Sequence, residues 1–148
     1  MAEELSRLAV LAGRWQGDET LYPSGDDPGG SARSLVTARM VLDGTFLMTE
    51  YEAERDGHLP YSGIGVTGWD DAMKCYTIHW FDSLGRSSAL PATGSWDKNV
   101  LRLEQADPGG RIRYLYVLES PQRYLFRIER TVAGEWRAVV QGSYTRLD

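Results

Sequence analysis

The residues of this 148-residue chain that could do chemistry stand singly rather than in clusters. His79 has the chemistry of a metal or haem ligand or of an acid/base, but a metal site needs partner ligands, and one histidine supplies none. No metal site is therefore expected. His58 falls in Asp56-Gly57-His58-Leu59-Pro60, a turn in which it should be solvated. Cys75 follows Lys74, yet neighbours along a strand point to opposite faces, so the lysine does not activate the thiol. Glu50, Glu52 and Glu54 share one strand face and read as a solvated outer surface. If Glu50 turns inward, Arg39 on the paired strand is its nearest partner, since a lone buried carboxylate is costly. Glu19 has the same phase as Trp15 and is the carboxylate most readily placed inside. The chain has no Gly-x-Ser-x-Gly, no His-Glu-x-x-His and no phosphate-cradling glycine loop. Gly63-x-Gly65 lies within a strand pattern and reads as relief for bending.

The elements that must position these groups are short and regular. Glu3 to Ala12 is the one helix candidate, with Leu5, Leu8, Leu11 and Ala12 on one side and two acidic residues at its positive end. From Arg14 onward apolar residues alternate in period two, with turn residues at intervals of about ten. The pattern predicts strands at Arg14–Tyr22, Arg33–Leu42, Thr45–Arg55, Tyr61–Trp69 and Lys74–Asp82. It continues with Arg86–Trp96, Val100–Gln105, Arg111–Glu119, Arg123–Val132 and Glu135–Leu147. Asp43-Gly44 signals a hairpin that pairs Met40 with Leu47 and Val36 with Tyr51. Asp97-Lys98-Asn99, Asp107-Pro108-Gly109-Gly110 and Ala133-Gly134 read as further turns. Ser24 to Ser31 is the longest glycine- and proline-rich loop and is expected to be mobile. An antiparallel meander of about ten strands removes its exposed edges by closing, so the expected fold is one all-β, up-and-down barrel domain spanning residues 1–148.

Strand phase separates inside from outside unevenly. At the rear, Ile112, Tyr114, Tyr116 and Leu118, then Tyr124, Phe126 and Ile128, then Trp136, Ala138, Val140 and Tyr144 form one apolar parity. The opposite parity carries Arg111, Arg113, Glu119, Arg127, Glu129, Arg137 and Gln141. At the front both faces of Lys74–Asp82 are partly apolar: Tyr76, Ile78 and Trp80 oppose Cys75, Thr77, His79 and Phe81. Such mixing implies inward polar groups. Glu19, Arg39, Glu50, His79, Trp80 and Tyr116 are the residues expected to meet a ligand, with Glu19 and His79 sharing a cavity.

Composition excludes several partners. A formal charge of −5, with 16 basic residues scattered along the chain, argues against nucleic acid and against an anionic membrane face. A single cysteine forms no intrachain disulfide and suits a reducing compartment. With no secretory pattern at Met1-Ala2-Glu3-Glu4 and no long apolar run, the chain reads as cytoplasmic.

Two resemblances follow from quoted stretches. Leu11-Ala12-Gly13-Arg14-Trp15-Gln16-Gly17, Val41–Leu47, Gly63–Asp70, Trp80-Phe81-Asp82-Ser83, Gly94–Asp97 and Tyr144-Thr145-Arg146, in that order, resemble a bacterial domain-of-unknown-function family, number 1579. The resemblance implies a lipocalin-like, calycin-type barrel. It also implies that the Gly-x-Trp indole of Trp15 closes the barrel floor with Arg146 laid across it. A partial similarity links Gly13–Gly17 with Tyr22-Pro23 to nitrobindin-like haem barrels. Those barrels hold iron through a late histidine, and this chain has none after His79, so haem is disfavoured and no cofactor is expected.

The function expected first is non-enzymatic binding of a small, mostly apolar molecule inside the barrel, by a monomer or homodimer. The alternative is a filled barrel serving as a structural or dimerisation module, with Phe46, Met48 or Trp69 on an exposed patch. A small-molecule enzyme using Glu19, Glu50 or His79, and haem binding, stand behind these.

Overall fold

A computed structural model describes residues 1–55, 60–87, 90–107 and 109–147, with Asp107 in its backbone alone. His58 therefore lies outside the described residues. Helix α1 (Ala2–Leu8) runs into a single tight turn over Ala9–Leu11. Ten strands follow: β1 (Gly13–Leu21), β2 (Gly30–Val41), β3 (Phe46–Arg55), β4 (Tyr61–Asp70), β5 (Cys75–Asp82), β6 (Ala92–Asp97), β7 (Val100–Asp107), β8 (Gly110–Ser120), β9 (Arg123–Val132) and β10 (Glu135–Arg146). Each strand pairs antiparallel with the next, and β1 pairs with β10 from Trp15↔Arg146 to Leu21↔Val140, closing the barrel. The expected meander and its closure are what the chain forms.

The α-helix is shorter than its periodicity predicts because its last turn tightens over Ala9–Leu11, and the helical run then stops at the extended Ala12 and at Gly13, whose φ is +130°. The hairpin between β2 and β3 has the expected register, Met40↔Leu47 and Val36↔Tyr51. The strand expected from Arg86 begins only at Ala92. Asp82 causes this by gathering the chain into a turn: its carboxylate accepts from the backbone N–H groups of Leu84 and Arg86 and pairs with the Arg86 side chain. The loop expected to be mobile is tied down. Ser24 and Asp27 exchange backbone hydrogen bonds, and Arg55 grips the Asp27 carboxylate and the Gly29 carbonyl, each at 2.6 Å.

The clean rear pattern breaks in β10. A register shift between Ala138 and Val140 leaves Val139 as a bulge in β10. The bulge reverses the side-chain phase before it, so Trp136 faces outward under Arg113, whose guanidinium lies 4.0 Å from the indole centroid. Arg137 consequently takes the inward phase. Glu129 is also not solvated as its parity suggests. It is buried on the outer wall beneath Arg113 at 2.5 Å and Arg127 at 3.1 Å.

The barrel has two unlike ends. At the base, where β1 begins and β10 ends, α1 and its following turn seal the strands. Leu8, Leu11, Trp15, Tyr76, Leu101, Leu103 and Tyr144 form a core there. Tyr76 donates to the Glu4 carbonyl at 2.7 Å, tying helix to barrel. At the mouth, where β1 ends and β10 begins, no helix among the described residues covers the strand ends. Among the described residues no helix is long and apolar enough to cross a membrane.

Candidate functional site

Cross-strand register defines the inner surface. Glu19 pairs with Gly142, Gly142 with Phe126, Phe126 with Tyr116 and Tyr116 with Leu101, one row around the wall. Partners directly opposite in antiparallel strands share a face, so all of these point inward. On the other side Tyr51 pairs with Gly63, and Trp80 with Gly65. A Cβ at Gly63 would overlap the Trp80 ring, so these glycines make room for an indole and are not chiefly relief for bending.

Glu19 is the buried carboxylate of this row. It is 4% exposed, and its partners are two phenols: Tyr51 donates to Oε1 at 2.5 Å and Tyr144 donates to Oε2. Ser34 donates in turn to the Tyr144 hydroxyl at 3.2 Å. Gly17 and Gly142 leave the space this arrangement occupies, since a Cβ at either would press on the Tyr144 ring. Burial raises the Glu19 pKa above the ordinary carboxylate value, opposed by the hydrogen bonds from Tyr144 and Tyr51. Burial first, and the nearby Glu19 charge second, push both phenols far above the usual tyrosine range, so they remain donors.

Nearer the mouth, Trp80 Nε1 donates to the Tyr61 hydroxyl at 3.3 Å, and Tyr61 donates to Asp82 at 3.1 Å. β5 pairs with β6 only from Tyr76 to Ile78. Beyond that point Trp80 has no ladder partner in β6. Tyr51, Trp80, Tyr114, Tyr116, Phe126, Ile128 and Val140 face inward, yet each keeps part of its surface accessible.

The sequence-based candidates therefore divide. Glu19, Trp80 and Tyr116 lie on the inner face. Arg39, Glu50 and His79 do not: all three are exposed on the outer face. The hairpin that turns Met40 and Leu47 inward turns Arg39, Met48 and Glu50 outward, where Arg39 and Glu50 meet at 3.9 Å in solvent. Likewise Tyr76, Ile78 and Trp80 fill the inner phase of β5, leaving His79 outside opposite Val66. Glu19 and His79 share no cavity. Trp69, expected on an exposed patch, packs inward edge-on to Tyr76, with ring centroids 4.8 Å apart. Trp15 is fully buried and donates to the Leu11 carbonyl at 3.0 Å, and the Arg146 guanidinium lies 4.1 Å over its ring. Tyr51, Tyr144 and Ser34 join the site beyond the expected residues, and the signal for them is Gly142 on the Glu19 row with Gly17 opposite Tyr144 and Ser34.

His79, the one histidine among the described residues, points outward, and the inner phenols are held protonated by burial. Nor do the described residues gather three His, Cys, Asp or Glu side chains that could hold a metal ion.

Solved structures share this fold. Rv2717c from M. tuberculosis is 17% identical, with a TM-score of 0.72 over 100% of this chain and 99% of that one. The S-type phycobiliprotein lyase CPES from Guillardia theta is 10% identical, with a TM-score of 0.65 over 99% and 92% of the two chains. A redesigned β-barrel is 15% identical, with a TM-score of 0.52 over 98% and 96%. At these identities the likeness is one of fold alone. No curated protein matches the sequence. The description "Protein of unknown function (DUF1579)" matches residues 2–146, and the chain belongs to that family.

Proposed function

We propose that this protein binds a small, mostly apolar molecule inside its barrel, without chemistry performed on it. One observation carries the reading. Aromatic and aliphatic side chains that the register turns toward the inside of a closed ring of strands are only partly buried. Surface on the inside of a closed wall is reached only through a lumen, and an apolar lumen with a few polar tips is the usual form of a small-molecule site. The aromatic walls (Trp80, Tyr116, Phe126) supply the apolar contact, and the Glu19–Tyr51–Tyr144 group supplies a polar floor.

The test is titration with the neutral fluorophore N-phenyl-1-naphthylamine, read by probe emission and by tryptophan quenching. Saturable binding of one probe per chain, abolished by Ile128→Trp, is the expected result. Absence of saturable binding, or binding unaffected by the added indole in a folded variant, would overturn the reading.

A second reading rests on the outer wall, where Phe46 is 37%, Ile64 42% and Phe81 49% exposed on neighbouring strands. Apolar surface of this kind suits a dimer contact. Light scattering across a dilution series separates the two readings, because a monomer at every concentration removes the second.

A further inference from the structure

We infer that Tyr116 selects the ligand of the barrel: its hydroxyl donates a hydrogen bond to a neutral, carbonyl-type oxygen on an otherwise apolar molecule. The inference rests on the lumen reading above and names the chemical class of its ligand. Register turns Tyr116 inward, between its cross-strand partners Leu101 and Phe126. The ring is held there by Phe126, with centroids 4.9 Å apart, and by Tyr124 at 6.0 Å. Trp80 and Ile128 add further partly buried apolar surface to the same inner wall.

A phenol turned into a protein interior usually finds a partner. The other tyrosines of this barrel show it: Tyr51 and Tyr144 donate to Glu19, Tyr61 to Asp82 and Tyr76 to the Glu4 carbonyl. The Tyr116 hydroxyl has no hydrogen-bond partner among the described residues, yet it keeps accessible surface of its own. Tyr124 shares the lack of a partner, but it is 4% exposed, packed between Trp15 and Tyr144 in the core. Tyr116 is only partly buried, on the row of Glu19. Burial pushes its pKa above the ordinary tyrosine value, so it meets a ligand as a neutral O–H, and that proton calls for an acceptor. Glu19 makes the acceptor a neutral one. Its partners are phenols, and no cation is paired with it among the described residues. An anionic head in the same lumen would face that carboxylate without compensation.

Displacement of N-phenyl-1-naphthylamine by 2-acetylnaphthalene and by 2-isopropenylnaphthalene tests this, because the second carries a methylene where the first has its carbonyl oxygen. Tyr116→Phe should weaken the ketone about fivefold, the effect of one hydrogen bond between neutral groups, and leave the alkene within about twofold. The same substitution should not lower the melting temperature, since the hydroxyl has no protein partner to lose. 2-Naphthoate, of the same outline with an anionic acceptor, should bind more weakly than the ketone. Equal losses for ketone and alkene, no loss for either, a destabilised Tyr116→Phe or tighter binding of 2-naphthoate overturns the inference and leaves the lumen reading standing. A bound fluorophore that the ketone does not displace does the same. Failure of the fluorophore itself to bind overturns both.

Discussion

The base and the mouth of this barrel are built from the same period-two strands, yet they solve opposite problems. At the base the groups of the plug are matched: the Trp15 N–H finds Leu11, and Arg146 covers the indole while its Nη1 donates to the Ala12 carbonyl at 2.7 Å. Trp15, Leu8 and Leu103 retain no accessible surface. Toward the mouth Phe126, Ile128 and Val140 sit on the same inner face and keep theirs, and the rim sets two arginines side by side. The contrast teaches that the strands specify a barrel, while the helix and the Gly-x-Trp segment decide which end is filled. Side chains are fully buried where the plug is and only partly buried where it is not.

The largest expected effect lies at the plug. Trp15→Ala should cost about 3–5 kcal/mol in denaturant unfolding, because it empties a fully buried indole site. Arg146→Ala should cost less, and its effect should shrink in the Trp15→Ala background, since the two side chains touch. Strictly additive losses would break the picture of a jointly built floor.

A middle-sized effect belongs to Glu19, where the two regions meet. Burial raises its pKa in the folded state, so the native protein holds this proton more tightly than the unfolded chain. The associated stability is complete below the ordinary carboxylate pKa of about 4.3 and is lost as pH rises through the folded value. Thermal melts across this range should show the wild type losing stability relative to Glu19→Gln as pH rises. Parallel curves would mean that the carboxylate is no more perturbed than one in solvent.

The smallest effect is expected at the rim. Arg137→Gln should leave stability within about 0.5 kcal/mol, because the side chain is exposed and its ion pair with Glu135 lies in solvent. A loss of several kcal/mol would show that Arg137 is a structural residue and sharpen the comparison against an open mouth.

Much of this was legible in the sequence, and the failures have definite causes. Ten strands, the Met40↔Leu47 register and the inward phase of Glu19 followed from period-two alternation and from one hairpin signal. His79 did not follow, because β5 is apolar on both faces and a pattern without contrast fixes no phase. Trp136 and Arg137 did not follow because one extra residue at Val139 reverses phase without leaving any compositional mark. Glu129 was hidden for another reason: its burial comes from arginine side chains lying over the outer wall, not from the barrel interior. The Tyr51 and Tyr144 hydroxyls were hidden by their rings, which alternation counts simply as apolar.

Methyl NMR during titration with N-phenyl-1-naphthylamine tests the central claim most directly, because it reads base and mouth in one experiment. The account predicts saturable shifts at the methyl groups of Ile128, Val140 and Leu21, with those of Leu8, Leu11 and Leu101 unmoved. Shifts confined to outer residues such as Ile64 and Val10, or no shift anywhere at excess probe, would contradict it.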